Sequence, residues 1–275
     1  AVLVRLCGAN IGHIVDTVLS AFLFASLGVM LAAAGALFAD HLRRPFALGV
    51  GTTALLTGAI ARNEPTRMLR LNGAIVTLLV LSLLVVLLPV IGGTYWPVTS
   101  RRTLLPVLAP SHWWSGAVLY SAFNLVLALS PIGALGREVR SPVEAFLGAA
   151  LGSVVLILTG AVVLLALLRH PTLIAEAELP LLSLLVGRLP AAAAVYAFVL
   201  YLALLTSCVA ITYGLGHRAA GGDTVRARRI AGWLPLAAMP LSYLGFSNLV
   251  HSLYPLIGYT GLGLLLFALI RRLLA

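Results

Sequence analysis

Long apolar runs separated by short polar segments follow one another along this whole chain. A helix that crosses a bilayer needs about 20 mostly apolar residues, because the hydrocarbon core is about 30 Å thick. Eight runs approach or exceed that length, at about residues 12–39, 46–61, 71–93, 113–135, 142–168, 190–215, 230–249 and 252–270. The pattern therefore predicts an all-α integral membrane protein, a single transmembrane domain over residues 1–275 with about eight transmembrane helices.

Shorter features refine this picture. The stretch 177–189 is too short to span a bilayer and carries Pro180 near its start, so we interpret it as an amphipathic helix on the outer face; a surface loop is the alternative. The last two runs are joined by a tight turn predicted around Leu249 to Pro255. Gly148 and Gly152 have the spacing of small residues at close helix contacts, which predicts tight packing of the fifth run.

Composition and charge agree with a membrane location. Apolar residues make up 61% of the chain and charged residues only 9%, whereas a soluble domain carries about 25% charged residues. The net charge of +10 would be consistent with a nucleic-acid partner. However, the arginines lie in short segments between the apolar runs, so we predict contact with the lipid bilayer and none with nucleic acid.

The distribution of arginine predicts the orientation. All 18 basic residues are arginine, and the alternate segments between runs divide them unequally. Twelve lie on one side, at Arg5, Arg62, Arg67, Arg70, Arg137, Arg140, Arg218, Arg226, Arg228, Arg229, Arg271 and Arg272. Six lie on the other, at Arg43, Arg44, Arg101, Arg102, Arg169 and Arg188. The positive-inside bias then places the first side, and both chain ends, in the cytoplasm.

Residues with catalytic or metal-binding patterns are not found. The chain has no His-Glu-x-x-His, Gly-x-Ser-x-Gly or P-loop motif, and its eight acidic residues fall near run ends or in loops. Cys7 and Cys208 show no spacing of a disulfide framework or zinc site. We therefore expect no enzyme activity, no cofactor and no metal site.

Uncharged polar residues concentrate in the fourth run, at Tyr120, Ser121 and Asn124, followed by Pro131 and Gly133. An unpaired amide in lipid costs several kcal/mol, so we expect Asn124 to face protein or a water-filled cavity. Proline removes a helical hydrogen bond, and a broken helix beside a buried amide is typical of a transporter substrate site. An interhelical hydrogen bond that only holds the bundle together is the alternative.

The sixth run contains adjacent hydroxyl residues, Thr206 and Ser207. Such hydroxyls commonly bond to the carbonyl four residues earlier in the same helix. They also supply oxygen ligands to small cations. The residues alone leave both interpretations open.

Several segments resemble the YkvI-like family of bacterial membrane proteins. These are Arg5–Gly8 with Phe22–Phe38, Tyr120–Asn124 with Pro131 and Leu135–Val139, and Gly245–Val250 with Leu253–Tyr259. Apolar segments are individually unspecific, so the shared order over nearly the whole chain carries the resemblance.

That family is similar to the amino acid–polyamine–organocation transporters, which share the LeuT-like fold of two inverted repeats of five helices. The resemblance makes the first run the third helix of that fold, the fourth run the sixth, and the sixth run the eighth. The first two helices, one of them a broken helix of the site, are then missing from this sequence. Whether Ala1 is a native start or a truncation stays open. Segment 177–189 corresponds to an extracellular lid.

The resemblance implies a secondary transporter in a bacterial cytoplasmic membrane, working by alternating access. Tyr120, Ser121 and Asn124 would bind a small polar or zwitterionic solute such as an amino acid. Thr206 and Ser207 would bind a coupling sodium ion, with a proton as the other candidate. A membrane sensor or a structural membrane protein on the same fold is the alternative. The solute and the oligomeric state, including a homo-oligomer, stay open.

Overall fold

The computed structural model describes residues 9–63, 73–84, 112–135, 141–168, 177–188, 190–221 and 223–274, and all their regular secondary structure is helical. The helices are α1 Ala9–Ala36, extended by a π-helical turn Leu37–His41, α2 Phe46–Asn63, α3 Gly73–Leu84, α4 Trp113–Leu135, α5 Pro142–Leu168, α6 Pro180–Arg188, α7 Pro190–Ala220, α8 Thr224–Ser242 and α9 Phe246–Leu274. The predicted all-α class is confirmed for this part of the chain.

Four of the described helices are long and apolar enough to cross a bilayer. They contain the segments Val15–His41, Pro142–Leu168, Pro190–Ala220 and Phe246–Phe267. Each coincides with one of the predicted runs. The total of eight transmembrane helices stays a prediction, as does the LeuT-like arrangement. The predicted run 71–93 extends past Leu84 into residues that lie outside the described ranges.

Local signals explain several helix ends. The Asp223 carboxylate accepts backbone hydrogen bonds from Val225 at 2.9 Å and Arg226 at 3.1 Å, and so caps the start of α8. The preceding helix, α7, ends before Gly221, whose φ of +61° suits glycine. At the end of α1, the Leu42 amide donates to the Leu37 carbonyl at 3.4 Å, which forms the π-helical turn.

The turn between α8 and α9 was predicted too late in the chain. The structure places it at Tyr243–Gly245, where Gly245 adopts φ +86°, a conformation that other residues rarely take. Pro255, which was expected to lie in the turn between the two helices, instead lies inside α9. Proline is tolerated within membrane helices because neighbouring groups satisfy the freed backbone. The glycine therefore marks the turn, and the proline does not.

Helices α1, α2, α7 and α8 form the centre of the molecule, and each of them packs against the other three. We call these four helices the scaffold. A cluster of buried side chains fills their shared interior, comprising Leu27, Leu31, Val50, Ala54, Cys208 and Ala238. Small residues allow the backbones to approach. A Cβ added at Gly58 would lie 2.6 Å from the carbonyl oxygen of Gly232, and one at Gly216 would lie 2.9 Å from that of Ala227.

Helix α4 packs outside the scaffold, mainly against α9. The rings of Phe123 and Tyr254 stack there with centroids 4.4 Å apart. A Cβ at Gly258 would lie 2.9 Å from the carbonyl oxygen of Leu119, so this pair is also in close contact. Helix α9 in turn packs against α1, which connects the pair to the scaffold.

Helix α5 is the least buried of the long helices, since only 6% of its spanning segment is buried. The space beside Gly148 and Gly152 contains no heavy atom of the described residues within 4 Å of an added Cβ. The predicted tight packing at these glycines is therefore wrong for the described part of the chain. The spacing of small residues does not by itself show which helix packs against them.

The predicted amphipathic segment does form a helix, α6. Its leucines Leu182, Leu184 and Leu185 are buried, with exposed fractions of 4% or less. They share one cluster with residues from the ends of four longer helices, namely Leu37, Leu83, Ala166, Ala193 and Tyr196. The short helix therefore covers one end of the bundle, and a plain surface loop is excluded.

Candidate functional site

The polar residues of α4 lie together on one open face. Tyr120 is 59% exposed, and Ser121 and Asn124 are also exposed. The Asn124 amide donates to the carbonyl oxygen of Tyr120 at 2.8 Å, and the Ser121 hydroxyl donates to that of Ala117 at 2.9 Å. Described residues therefore leave Asn124 uncovered, contrary to the expected burial, and its amide is satisfied within its own helix. The solute-binding role of the three side chains stays a prediction.

Helix α4 continues without a break through Pro131 and Gly133 to Leu135. The predicted interruption is therefore not formed in this structure. A break in a membrane helix exposes backbone groups that lipid cannot satisfy, so a proline alone is insufficient to cause one. Residues 136–140, where the predicted segment Leu135–Val139 ends, lie outside the described ranges.

Thr206 and Ser207 occupy the middle of α7 and share one acceptor. Their hydroxyls donate to the carbonyl oxygen of Ala203, at 3.0 Å and 2.8 Å. Thr206 is only 1% exposed, whereas Ser207 is partly buried. This is the common bonding of hydroxyls within a helix. A hydroxyl that donates still has lone pairs for a cation, so the ion-binding role also stays a prediction.

A line of buried polar groups between α2 and α7 was missed by the sequence interpretation. Thr53, Thr57 and Thr212 have no exposed surface. The Thr53 hydroxyl donates to the Tyr201 hydroxyl at 3.3 Å, whereas the hydroxyl oxygens of Thr57 and Thr212 have no hydrogen-bond partner among the described residues. We call these groups the α2–α7 seam. The spacing of four between Thr53 and Thr57, repeated by Cys208 and Thr212, was the available signal.

Another buried hydroxyl, Ser26, belongs to α1. It is 3% exposed, and its oxygen has no hydrogen-bond partner among the described residues. Ser26 lies on the same helical face as Leu19 and Val29, which contact the α4–α9 pair through Phe123 and Leu249. The unsatisfied hydroxyl therefore lies on the side of the scaffold that faces the α4–α9 pair.

Charged side chains connect the elements at the two ends of the bundle. Glu178, just before α6, accepts a hydrogen bond from the backbone of Ser247 at 2.7 Å, in the first turn of α9. At the other end, Arg218 of α7 pairs with Asp16 of α1 at 3.1 Å. The first contact holds the covering helix to the α8–α9 turn, and the second joins two scaffold helices.

The chain matches two proteins of Bacillus subtilis over most of its length. The uncharacterized membrane protein YkvI is 25% identical over 259 residues, which cover 94% of this chain and 73% of YkvI. The uncharacterized protein YyaD is 24% identical over 274 residues, which cover 100% of this chain and 79% of YyaD. The chain is thus similar to both proteins over most of its length, which supports a relationship to YkvI-like membrane proteins. The family resemblance of the sequence motifs is thereby confirmed.

The similarity supports a membrane location, and the described helices carry the exposed apolar surface that such a location requires. Leu151, Ile157 and Leu158 of α5 are each more than half exposed within the described part of the chain, as is typical of apolar side chains at a lipid-facing surface. No family model and no solved structure matches the chain. The relationship to LeuT-like transporters therefore stays a prediction from the sequence.

Proposed function

We propose that this chain is a secondary transporter of a small polar or zwitterionic solute, such as an amino acid, coupled to sodium or protons in a bacterial cytoplasmic membrane. The observation that carries the proposal is the packing of α1 and α2 against α7 and α8. Alternating access requires a rigid unit and a unit that moves against it, around a site near the membrane midplane.

The four scaffold helices are the ones that two inverted repeats would bring together. In the LeuT-like correspondence, α1 and α2 are the third and fourth helices, and α7 and α8 are the eighth and ninth. Because each repeat has five helices, these are equivalent pairs in the two repeats. Their mutual packing, with every helix touching the other three, supports one rigid unit built from both repeats.

The α4–α9 pair is the candidate for the moving unit. Helix α4 would be the sixth helix, and its principal neighbour is α9 rather than a scaffold helix. It carries an open polar face with Tyr120, Ser121 and Asn124. These groups are uncharged donors and acceptors, which suits a zwitterion or a polar solute better than an ion of single charge.

The test of solute binding compares two asparagines with the same local bonding. Asn124 and Asn248 each donate their side-chain amide to the carbonyl four residues earlier, at 2.8 Å and 3.0 Å. We would measure thermal unfolding of the chain with a panel of amino acids and amines, with and without sodium. A ligand at 100 times its Kd stabilises by about 2.7 kcal/mol. Asn124→Ala should abolish the rise in unfolding temperature that the solute causes, and Asn248→Ala should retain it. An equal rise in the two variants would contradict the assignment of Asn124 to the solute site.

The ion site is tested on α7 in the same assay. Thr206→Ala with Ser207→Ala should remove the sodium dependence of the solute shift. Thr212→Ala, at another fully buried threonine of the same helix, should preserve it. Sodium dependence that survives the double change contradicts the ion site. Solute binding without flux in proteoliposomes would instead assign the chain as a membrane sensor.

A further inference from the structure

Arginines gather where α2 ends and α8 begins. Arg226, Arg228 and Arg229 occupy the first turns of α8, and all three are exposed. Arg62 lies in the last turn of α2 and is also exposed. We call Arg62, Arg228 and Arg229 the basic cluster.

Close packing of the two helices brings the basic cluster together. Val50 and Ala54 share a core cluster with Ala238, whereas Ala61 shares one with Ala231, so α2 and α8 run antiparallel. Gly58 crosses Gly232 at backbone contact. Arg62, one turn beyond Gly58, lies with its Cδ 3.5 Å from the Cβ position of Gly232. Arg228 and Arg229 precede Gly232 by one turn, so they border the same place.

The cluster makes no ion pair with an acidic residue among the described residues. The nearby Asp223 carboxylate caps the start of α8, and Asp16 pairs with Arg218. Glu64, two positions after Arg62 in the sequence, lies outside the described ranges. Positive charges held close together by fixed backbones favour binding of an anion.

The residues beside the basic cluster on α8 favour a lipid as the bound anion over a soluble anion. Arg226, Arg229 and Trp233 are separated by three and four residues and so share one face of α8. Trp233 is 71% exposed, and Ala237, one turn further, is exposed as well. Along the helix the outward face therefore changes from charged to aromatic to apolar. That order matches the headgroup, interface and acyl-chain layers of a leaflet, and tryptophan is enriched at the interface.

We propose that the basic cluster binds the phosphate of an anionic phospholipid in the leaflet on the arginine-rich side. Arg62, Arg228 and Arg229 surround the phosphate, since guanidinium groups bind phosphate oxygens in a bidentate manner. Trp233 packs beside the glycerol region of the same lipid. The proposal concerns a surface away from Asn124 and Thr206, so it stands independently of the transport proposal.

The experiment measures lipid retention by native mass spectrometry, with phosphatidylglycerol and phosphatidylcholine offered to the protein in detergent. The wild-type chain should retain phosphatidylglycerol in preference. Arg228→Gln with Arg229→Gln should reduce that preference about fivefold for each arginine removed, and added salt should weaken it in the wild type. The matched control is Arg43→Gln with Arg44→Gln, an adjacent exposed pair that precedes the opposite end of α2, and it should retain the preference.

Two outcomes overturn the proposal. Equal loss in both double variants would mean that lipid retention follows total charge and needs no particular site. Stabilisation of the protein by glycerol 3-phosphate equal to that by phosphatidylglycerol would assign the cluster to a soluble phosphate. Trp233→Leu tests the lipid contact without changing any charge. It should lower the retention of phosphatidylglycerol while the protein stays folded. Unchanged retention would contradict the contact between Trp233 and the lipid.

Discussion

Helices α2 and α5 have similar sequences and opposite surroundings. Both are apolar and carry several glycines; α2 has three threonines and α5 has one. In α2, Gly58 touches the backbone of α8 and Thr57 has no exposed surface. In α5, Gly152 has no described neighbour within 4 Å, and the partly exposed Thr159 donates its hydroxyl to the Val155 carbonyl of its own helix. The same residue types therefore pack closely in α2, whereas in α5 no described residue packs against Gly152.

The difference between α2 and α5 shows what determines whether a membrane helix packs against other helices. Lipid tails are as apolar as leucine, so burial of apolar surface does not choose between a protein neighbour and lipid. Backbone proximity and paired polar groups make that choice. The scaffold has both, in the glycine crossings and in the hydrogen bond between Thr53 and Tyr201.

The largest expected effect on stability comes from adding a side chain at Gly58, and the same change at Gly152 is its control. Gly58→Leu forces a side chain against the Gly232 carbonyl oxygen, 2.6 Å from the new Cβ, and backbone cannot move aside as a side chain can. We expect destabilisation of about 3 kcal/mol or loss of the folded protein. Gly152→Leu should leave the unfolding temperature almost unchanged. Thermal unfolding in detergent measures both, and similar shifts would abolish the distinction between scaffold and periphery.

A smaller effect is expected at the helix caps. Glu178→Ala removes a charge-assisted hydrogen bond that reaches α9 from α6, and Asp223→Ala removes a local cap of α8. Each should cost about 1 kcal/mol. Hydrogen exchange separates them: the first change should speed exchange in both α6 and the start of α9, and the second in α8 alone. Faster exchange confined to α9 after Glu178→Ala would mean that this contact does not hold α6.

The smallest effect is expected at the Asp16–Arg218 pair, whose carboxylate side chain is 50% exposed. A double-mutant cycle with Asp16→Asn and Arg218→Gln should give a coupling of about 0.2–1 kcal/mol that falls with salt, because exposed pairs are weak and screened. A coupling that is larger and independent of salt would make this pair a principal connection within the scaffold.

Helix existence could be predicted from the sequence better than helix neighbours could. The runs at 46–61, 113–135 and 142–168 coincide with α2, α4 and α5, because length and apolar content alone define them. The α8–α9 turn was misplaced because Pro255 is a more familiar signal than Gly245. Close packing was assigned to Gly148 and missed at Gly58, since spacing does not reveal a partner.

The candidate site was predictable only in part. Tyr120 and Asn124 do share a face, as their spacing of four requires. Their exposure could not be foreseen, because it depends on which helices cover α4. The buried hydroxyls of Ser26 and Thr212 were also not singled out, since an isolated hydroxyl in an apolar run commonly bonds within its own helix.

The central claim is that the scaffold stays rigid while the α4–α9 pair moves when solute binds. Pulsed electron paramagnetic resonance in bilayers tests it, with Cys7 and Cys208 replaced by alanine and spin labels at exposed positions. Labels at Val118 on α4 and Ala237 on α8 measure the distance between the α4–α9 pair and the scaffold. Labels at Leu55 on α2 and Ala237 measure a reference distance within the scaffold. Solute with sodium should change the first distance distribution and leave the second unchanged. A bound solute that leaves both distributions unchanged, or changes both together, contradicts the account.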